Sequence, residues 1–221
     1  MFDRIIQALP DIGVALVQTG LMLVITLPLA VLLGTPLGTL LYLTRPGSFV
    51  NAPRLYVVVN SVVNLVRSFP FLILMVAMIP LTRIIVGTAL GTVAATVPMV
   101  VNAVPYFARF VEQSLLEVNR GVVEAAESMG ASRLQIVWKV LYREAQQGIA
   151  NSATIITVSF LSYSTVAGLV GGGGLGDFAI RYGYYRYETE VMIFVVILMV
   201  AFVQLFQFTG NTLVRTLDKR L

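Results

Sequence analysis

The chain has 221 residues, of which 57% are hydrophobic and only 12% are charged, and its mean hydropathy is +0.87. Soluble domains carry about 25% charged residues, so this composition excludes an ordinary soluble domain and indicates a helical integral membrane protein in one domain. The sequence contains neither cysteine nor histidine, which excludes disulfides, a thiol nucleophile and the commonest general base and metal ligand. The net charge of +4 does not indicate nucleic-acid binding, because Lys and Arg in a membrane protein mainly report its topology.

Five apolar segments are predicted to span the membrane, since about 20 mostly apolar residues cross a hydrocarbon core of about 30 Å. They lie at about 14–43, 56–82, 84–108, 146–170 and 191–214. The residues before the first segment carry mixed charges, so they are not expected to form a cleaved signal peptide. The second segment contains Arg67, which we expect near its cytoplasmic end because a deeply placed arginine is costly. There it would reach the interface or pair within the bundle, and direct binding of a substrate carboxylate is the alternative.

Two pairs of glycines have the spacing that lets membrane helices pack closely. Gly34 and Gly38 lie in the first segment, and Gly87 and Gly91 lie at the start of the third. Small residues four apart allow two helix backbones to approach. The pattern predicts close packing, either within one subunit or between two. A homodimer would supply ten spans, enough to enclose a pathway between the subunits.

The distribution of basic residues predicts the orientation, because cytoplasmic loops are enriched in Lys and Arg. With the N-terminus outside, four basic residues face outside, namely Arg4, Arg83, Arg181 and Arg186. The others fall on the cytoplasmic side: Arg45, Arg54, Arg67, Arg109, Arg120, Arg133, Lys139, Arg143, Arg215, Lys219 and Arg220. This bias predicts a cytoplasmic C-terminus and a cytoplasmic segment between the third and fourth spans.

That cytoplasmic segment, about 122–145, is predicted to form a helical hairpin. Gly130 suits a helix-ending residue at positive φ, and Ser132 followed by Gln135 is a capping-box pattern. The helix that follows should place four apolar residues on one face, namely Leu134, Val137, Val140 and Leu141. Such a hairpin could lie on lipid headgroups or bind another protein.

The hairpin sequence also resembles the loop signature of bacterial ABC importer permeases, in which "EAA" is followed by "G". The matching residues are Glu124, Ala125, Ala126 and Gly130, extended by Ala131, Ile136 and Leu141. The resemblance implies an all-α integral membrane protein with the type I ABC importer permease fold and five transmembrane helices per subunit. It also implies that the hairpin contains a coupling helix, which docks into a cleft on an ATP-hydrolysing subunit.

Four further segments resemble the methionine-importer permeases: LTRPG, RSFPFLILMVAMIPLTRIIVGT, VPMVVNAVPYFARFVE and GGGGLG. This resemblance implies a multi-pass permease of the bacterial inner membrane that works as a homodimer in the lipid bilayer, with two ATPase subunits and an extracytoplasmic substrate-binding protein. ATP and Mg²⁺ would belong to the ATPase, and methionine would be the solute. One departure is visible at 142–145, where such permeases usually have a proline, and it concerns the kink between the docking helix and the fourth span.

The run GGGGLG also matches G-x-G-x-x-G at Gly171, Gly173 and Gly176. A dinucleotide site needs a preceding strand, whereas this run follows a membrane-length apolar helix, so we expect a closely packed turn at the outer end of the fourth span. No glycine is followed by lysine, so the chain lacks a Walker A motif. ATP-driven transport would therefore require a separate subunit, and the chain is not expected to be an enzyme.

The fourth span is rich in hydroxyl groups, which either bond within the helix bundle or line a polar path. Ser159, Ser162, Tyr163 and Val166 recur on one helix face and are the predicted wall of a translocation path. The residue pattern itself does not separate methionine from another small amino acid or an osmolyte. A proton-coupled carrier is disfavoured, since such carriers place ionisable groups at membrane depth and no Asp, Glu or His is expected in the first, third, fourth or fifth span. Sodium coupling through hydroxyl and carbonyl groups stays open as an alternative.

Overall fold

A computed structural model describes residues 2–48 and 50–217, and all regular secondary structure in these ranges is helical. The helices are α1 (Phe2–Thr44), α2 (Pro53–Ser68), α3 (Phe71–Ala77), α4 (Ile79–Val86), α5 (Thr92–Leu116), α6 (Arg120–Ser128), α7 (Arg133–Gly172), α8 (Gly174–Phe178) and α9 (Thr189–Leu217). Wider π-helical turns occur within α7 at Ile136–Leu141 and Gly168–Gly172, and another follows α8 at Ala179–Tyr185.

Within the described ranges, four helices are long and apolar enough to cross a membrane, namely α1, α5, α7 and α9, and there are five if the bent pair α2 and α3 is counted as one broken span. Helix α1 begins well before the expected start at residue 14, because its first turns pack on the segment that precedes α9. Ala8 and Ile12 share an apolar cluster with Phe178 and Val191. Helix α9 closely matches the expected 191–214, whereas Lys219 and Arg220 lie outside the described residues.

Helices α1 and α5 pack side by side through glycines and run in the same direction. A Cβ added to Gly34 would lie 3.0 Å from the Cβ of Phe107, and one added to Gly38 would overlap the carbonyl oxygen of Ala108. The close approach predicted for this glycine pair is therefore confirmed, and it occurs within one subunit. Phe107 is fully buried at this contact.

The second expected span, 56–82, is not one helix, and this prediction needs correction. Helix α2 ends at Ser68, and α3 leaves it at an angle of 100°. The break has a local cause, since the proline ring of Pro70 disfavours helical φ and ψ at the preceding residue. Phe69 is accordingly extended, with φ −73° and ψ 130°. Arg67 lies in the last turn of α2, whereas the first turn of α2 is the one expected to be cytoplasmic. The expected position of Arg67 near the cytoplasmic end of the span is therefore corrected.

The third expected span, 84–108, also differs from the structure, because α5 begins at Thr92. Gly87 and Gly91 lie in the turn between α4 and α5 with φ of 84° and 98°, a conformation that glycine adopts readily. They do not form a helix-packing pair, so that part of the glycine prediction is wrong. Helix α5 reaches Leu116, about two turns further than expected.

Contacts between the long helices define their directions. Helix α7 runs antiparallel to α5, with Gly148 against Ser114 near one end and Gly172 accepting a 3.1 Å hydrogen bond from Thr92 near the other. Gly210 of α9 packs on Thr154 of α7, and α9 leads back toward the end where Gly148 lies. Helices α1, α5 and α9 thus share one direction, and α2 and α7 take the other. The start of α1 and the end of α9 therefore lie at opposite ends of the bundle.

The glycine run after α7 forms a tight junction, as predicted. Gly173 and Gly174 have positive φ, and the N–H of Gly174 donates to Gln18 Oε1 at 2.8 Å. The next N–H, of Leu175, donates to Thr19 Oγ1 at 2.9 Å. These bonds fasten the end of α7 to the first half of α1, at the end of the bundle opposite the α6 hairpin.

Candidate docking hairpin and translocation face

The segment between α5 and α7 is an ordered helical hairpin. Asn119 caps α6, because its side chain accepts the N–H of Gly121 at 2.8 Å. Val123 and Ala126 are buried, and α6 rests through them on the first turns of α7. The hairpin is therefore a packed element of the fold, with one face turned to the protein and one turned away.

Gly130 ends α6 as the sequence predicts. Its φ is 79°, its N–H donates to Glu127 O at 2.9 Å, and the next N–H, of Ala131, donates to Ala126 O at 3.1 Å. These two bonds form the Schellman arrangement, which satisfies carbonyl groups that the end of a helix leaves free. The turn geometry therefore depends on a residue that tolerates positive φ.

The second half of the turn is a complete capping box. The N–H of Ser132 donates to Gln135 Oε1 at 2.8 Å, and the N–H of Gln135 donates to Ser132 Oγ at 3.4 Å. Each side chain thus satisfies a backbone donor at the start of α7. The predicted order of helix, sharp turn and helix is confirmed.

The face assignments within the hairpin need two corrections. Leu134 is 68% exposed, whereas Ile136 is buried, because the π-helical turn that begins at Ile136 changes the phase of the helix. Val137 and Leu141 are buried as expected. Ala126 is also buried, so it packs inside the hairpin, while Glu124 and Ala125 face outward.

The outward face of the hairpin is apolar at its tip, a feature that the sequence analysis missed. Met129, Leu134 and Trp138 are 82%, 68% and 62% exposed. Exposed apolar clusters with charged neighbours often mark interaction sites, and Glu124 and Glu127 provide such neighbours. The signal that could have identified this face was the single tryptophan of the chain, placed among charged residues.

The chain stays helical between the hairpin and the fourth span, at the position where the sequence departs from the usual proline. Helix α7 continues from the π-helical turn directly into Tyr142–Ala167. Tyr142 shares a 2.7 Å hydrogen bond with Thr39 of α1 and packs edge-on against Trp138. The hairpin and the fourth span are therefore one continuous helix from Arg133 onward.

The predicted path residues on α7 divide into two groups. Ser159 and Ser162 are exposed. Tyr163 is half-buried between Phe71 and Phe160, with ring centroids 4.8 and 5.0 Å away. Val166 is half-buried and packs against the main core. The structure thus brings the four residues onto adjoining parts of one surface, of which the two serines form the open part.

Much of the hydroxyl content of α7 is explained by bonds within the helix. Ser152, Thr154, Thr157 and Ser159 each donate to the carbonyl four residues earlier, at 2.7 to 3.2 Å. This is the usual way a membrane helix satisfies Ser and Thr. The number of hydroxyl groups on α7 therefore gives little support to a polar path. The exposure of the Ser162 side chain is better support for such a path.

A buried charged network joins α2 to α5, and the sequence analysis missed it. Glu112 is only 2% exposed and forms an ion pair with Arg109. The Arg109 guanidinium also donates to Asn60 and, at 2.8 Å, to Asn64, while Tyr56 donates to Glu112 at 3.4 Å. Glu112 lies beyond the expected span of 84–108, on the part of α5 by which the helix exceeds that span.

Comparison with known proteins identifies the family to which this chain belongs. The family model described as "Binding-protein-dependent transport system inner membrane component" matches residues 30–221. The chain belongs to this family. It is an integral, multi-pass permease component of the inner membrane and is not itself the catalytic subunit of its transporter.

Relatives of this permease cover most of its length. A probable D-methionine transport system permease protein MetI from Vibrio cholerae is 49% identical over 203 residues, which is 92% of this chain and 90% of that protein. The probable MetI of Pasteurella multocida is 41% identical over 95% of this chain and 96% of that protein. The sequence is therefore alike along nearly the whole chain.

Solved structures agree with the fold of this permease. A chain of the MetNI methionine ABC transporter in an inward-facing conformation has a TM-score of 0.92 and 44% identity, covering 94% of this chain and 96% of that chain. An amino acid ABC transporter structure has a TM-score of 0.76 at 18% identity over 100% and 99% of the two chains, which is a likeness of fold alone. The fold is that of the type I ABC importer permeases.

Proposed function

We propose that this permease imports methionine as a homodimer, driven by two ATPase subunits and supplied by an extracytoplasmic binding protein. The observation that carries the substrate is the 49% identity over 92% of the chain to a relative that is named for D-methionine transport. ATP and Mg²⁺ would be held by the ATPase, and the N-terminus would face outside. The permease would alternate between two conformations, whose populations the ATPase shifts.

The hairpin is the proposed docking element for the ATPase. Glu124, Ala125, Gly130 and Ala131 would contribute its outward surface and turn, with Ala126 supporting α6 from beneath. The exposed apolar tip described above favours a protein partner over solvent, and continuous helix joins the hairpin to the fourth span.

Reconstitution tests the proposed substrate. Proteoliposomes should contain this permease and its co-purifying ATPase, with the binding protein outside, and uptake of labelled D- and L-methionine, leucine and glycine betaine should be compared. We expect ATP-dependent uptake that methionine saturates, and none from vesicles that contain the permease alone. Uptake of another solute but not of methionine would refute the proposed substrate.

A cysteine at Ser132 tests the proposed orientation. The chain contains no native cysteine, and Ser132 is exposed in the hairpin turn. Ser132→Cys should react with an impermeant maleimide in inverted membrane vesicles but not in intact cells, because the hairpin is proposed to be cytoplasmic. Tyr184→Cys, an exposed position at the opposite end of the bundle, should give the reverse pattern. Labelling of Ser132→Cys in intact cells would overturn the orientation.

A bulky residue at Ser162 tests the proposed translocation path. Ser162→Trp should lower the rate of methionine uptake at least tenfold while the complex still assembles, because the side chain would occupy the open face of α7. Val200→Trp is the matched control, since Val200 is 53% exposed on α9 outside the proposed path. Normal uptake by an assembled Ser162→Trp complex would exclude this face from the path.

A further inference from the structure

Arg67 occupies an unusual place for an arginine in a membrane protein. It lies in the last turn of α2, immediately before the break at Phe69. Its guanidinium carbon lies 4.9 Å from the ring centroid of Tyr106. Tyr106 is the fifteenth of the 25 residues of α5, so Arg67 sits level with the middle of a membrane-length helix.

The charge of Arg67 has no anionic partner in the part of the chain that the structure describes. The Nε atom is buried and lacks a hydrogen-bond acceptor there. The carboxylate of Glu112, which also lies between α2 and α5, is already paired with Arg109. Ionisable residues within a membrane are costly and usually pair or bind a ligand. Arg67 therefore presents a buried N–H donor that the described residues leave without an acceptor.

Aromatic side chains connect this charge to the proposed translocation face. Tyr106 lies under the guanidinium, and Tyr106 interacts with Tyr163 of α7. Tyr163 in turn packs against Phe71, the first residue of α3. Ser162, next to Tyr163, is exposed. The guanidinium of Arg67, with aromatic side chains on one side of it, thus lies beside the predicted path.

We propose that Arg67 binds the α-carboxylate of the transported amino acid, with Tyr106, Tyr163 and Phe71 forming the wall beside its side chain. This proposal rests on the proposed function and deepens it. The planar guanidinium matches a carboxylate in a two-bond geometry, and binding sites combine apolar walls with a few placed polar groups. Arg67 would accept the solute when the path is open and release it as the helices move.

A purely structural role explains less of the arrangement. A cation near the C-terminal end of a helix is favourable, and the Tyr106 hydroxyl donates to the Arg67 carbonyl at 3.4 Å. Both effects fix the position of the residue. They leave the buried Nε–H of Arg67 without an acceptor, whereas a bound carboxylate would supply one.

Ligand-observed NMR on the purified permease–ATPase complex tests this role, because saturation transfer detects weak binding. The probes are methionine, 3-(methylthio)propionate, which lacks the amine, and methioninol, which lacks the carboxylate. The ATPase alone serves as the blank. The variants are Arg67→Gln and Arg67→Lys, with Arg83→Gln as control, since Arg83 is an exposed arginine in the last turn of α4.

We expect the wild-type complex to bind both carboxylate probes at least tenfold more tightly than methioninol. Arg67→Gln should weaken the carboxylate probes at least tenfold and leave methioninol unchanged. Arg67→Lys keeps the charge but loses the planar guanidinium, so its affinity for the carboxylate probes should lie between those of the wild type and Arg67→Gln. Arg83→Gln should bind all probes as the wild type does. If Arg67→Gln does not assemble, the ratio of carboxylate to alcohol affinity in Arg67→Lys decides the question.

Three results would overturn the proposal: no binding of carboxylate probes to the wild type, equal binding of methioninol, or equal weakening of all probes in an Arg67 variant. A lipid phosphate is the other source of an oxyanion, so binding is repeated in nanodiscs with and without phosphatidylglycerol. Displacement of the carboxylate probes by that lipid would assign Arg67 to a headgroup instead. If uptake assays identify another amino acid, that amino acid and its alcohol replace methionine, and the Arg67 test keeps its meaning.

Discussion

Replacing Gly38 by valine should prevent this permease from folding into a stable bundle. A Cβ at Gly38 would overlap the Ala108 carbonyl oxygen and lie 2.8 Å from the Cβ of Val111. The first of these is a backbone atom, so α1 and α5 would have to separate. Overpacking of this kind costs about 1–3 kcal/mol and can cost more, and α1 and α5 form the centre of the core. We expect little monodisperse protein after purification, and a lower thermal unfolding midpoint for what remains.

Gly20→Val is the matched control, because Gly20 is also a glycine of α1 and nothing lies within 4 Å of a Cβ placed there. Size-exclusion chromatography and a thiol-independent thermal assay in the same detergent would compare the two variants. If Gly38→Val matches Gly20→Val in yield and unfolding midpoint, the close approach of α1 and α5 is not needed for stability.

Gly130→Val should leave the permease inserted and folded but should uncouple ATP hydrolysis from solute uptake. Nothing lies within 4 Å of a Cβ at Gly130, so the only penalty is its φ of 79°. A β-branched residue at positive φ is strained, with a cost on the order of 1–3 kcal/mol. The hairpin can avoid that cost by rearranging the turn, which would displace the face proposed to bind the ATPase. We expect about tenfold weaker ATPase binding or a severalfold rise in ATP hydrolysed per solute imported.

Gly130→Asn provides the control, because asparagine enters the left-handed region more readily than other residues with a Cβ. It should retain most of the binding and coupling. Pull-down of the ATPase together with paired uptake and hydrolysis assays measures both quantities. Wild-type behaviour of Gly130→Val in both assays would mean that this turn does not transmit the ATPase motion.

The sequence predicts the hairpin well because the relevant interactions are local. Gly130, Ser132 and Gln135 lie within six residues, and each acts on backbone groups of its immediate neighbours. The Gly34 and Gly38 contact could also be predicted as a close approach, since small residues at that spacing have one main use in a membrane helix. Its partner on α5 could not, because the choice of neighbour depends on the whole bundle.

The observed helices differ from the predicted spans where one residue has a large local effect that the average hydropathy of the segment does not register. Pro70 stands inside an apolar run, so 56–82 reads as one span, yet its effect on Phe69 ends α2. Glu112 lies beyond the apolar core of the third segment, so its pairing with Arg109 depends on where α5 ends. The phase of the helix is a further cause of difference. The π-helical turn that begins at Ile136 changes which residues face the protein, so Leu134 lies on the outer face and not on the inner one.

The continuous helix that begins at Arg133 connects the hairpin mechanically to the opposite end of the protein. From Arg133 to Ala167 it extends about 50 Å at 1.5 Å per residue. It touches α5 closely at Gly148, where an added Cβ would lie 2.9 Å from Ser114 Oγ. A rod held at that point has arms of similar length, since Arg133 lies 15 residues before Gly148 and Ala167 lies 19 residues after it. A small tilt imposed at the hairpin would therefore move Ser162 by about the same distance in the opposite direction, and a proline at 142–145 would have weakened this transmission.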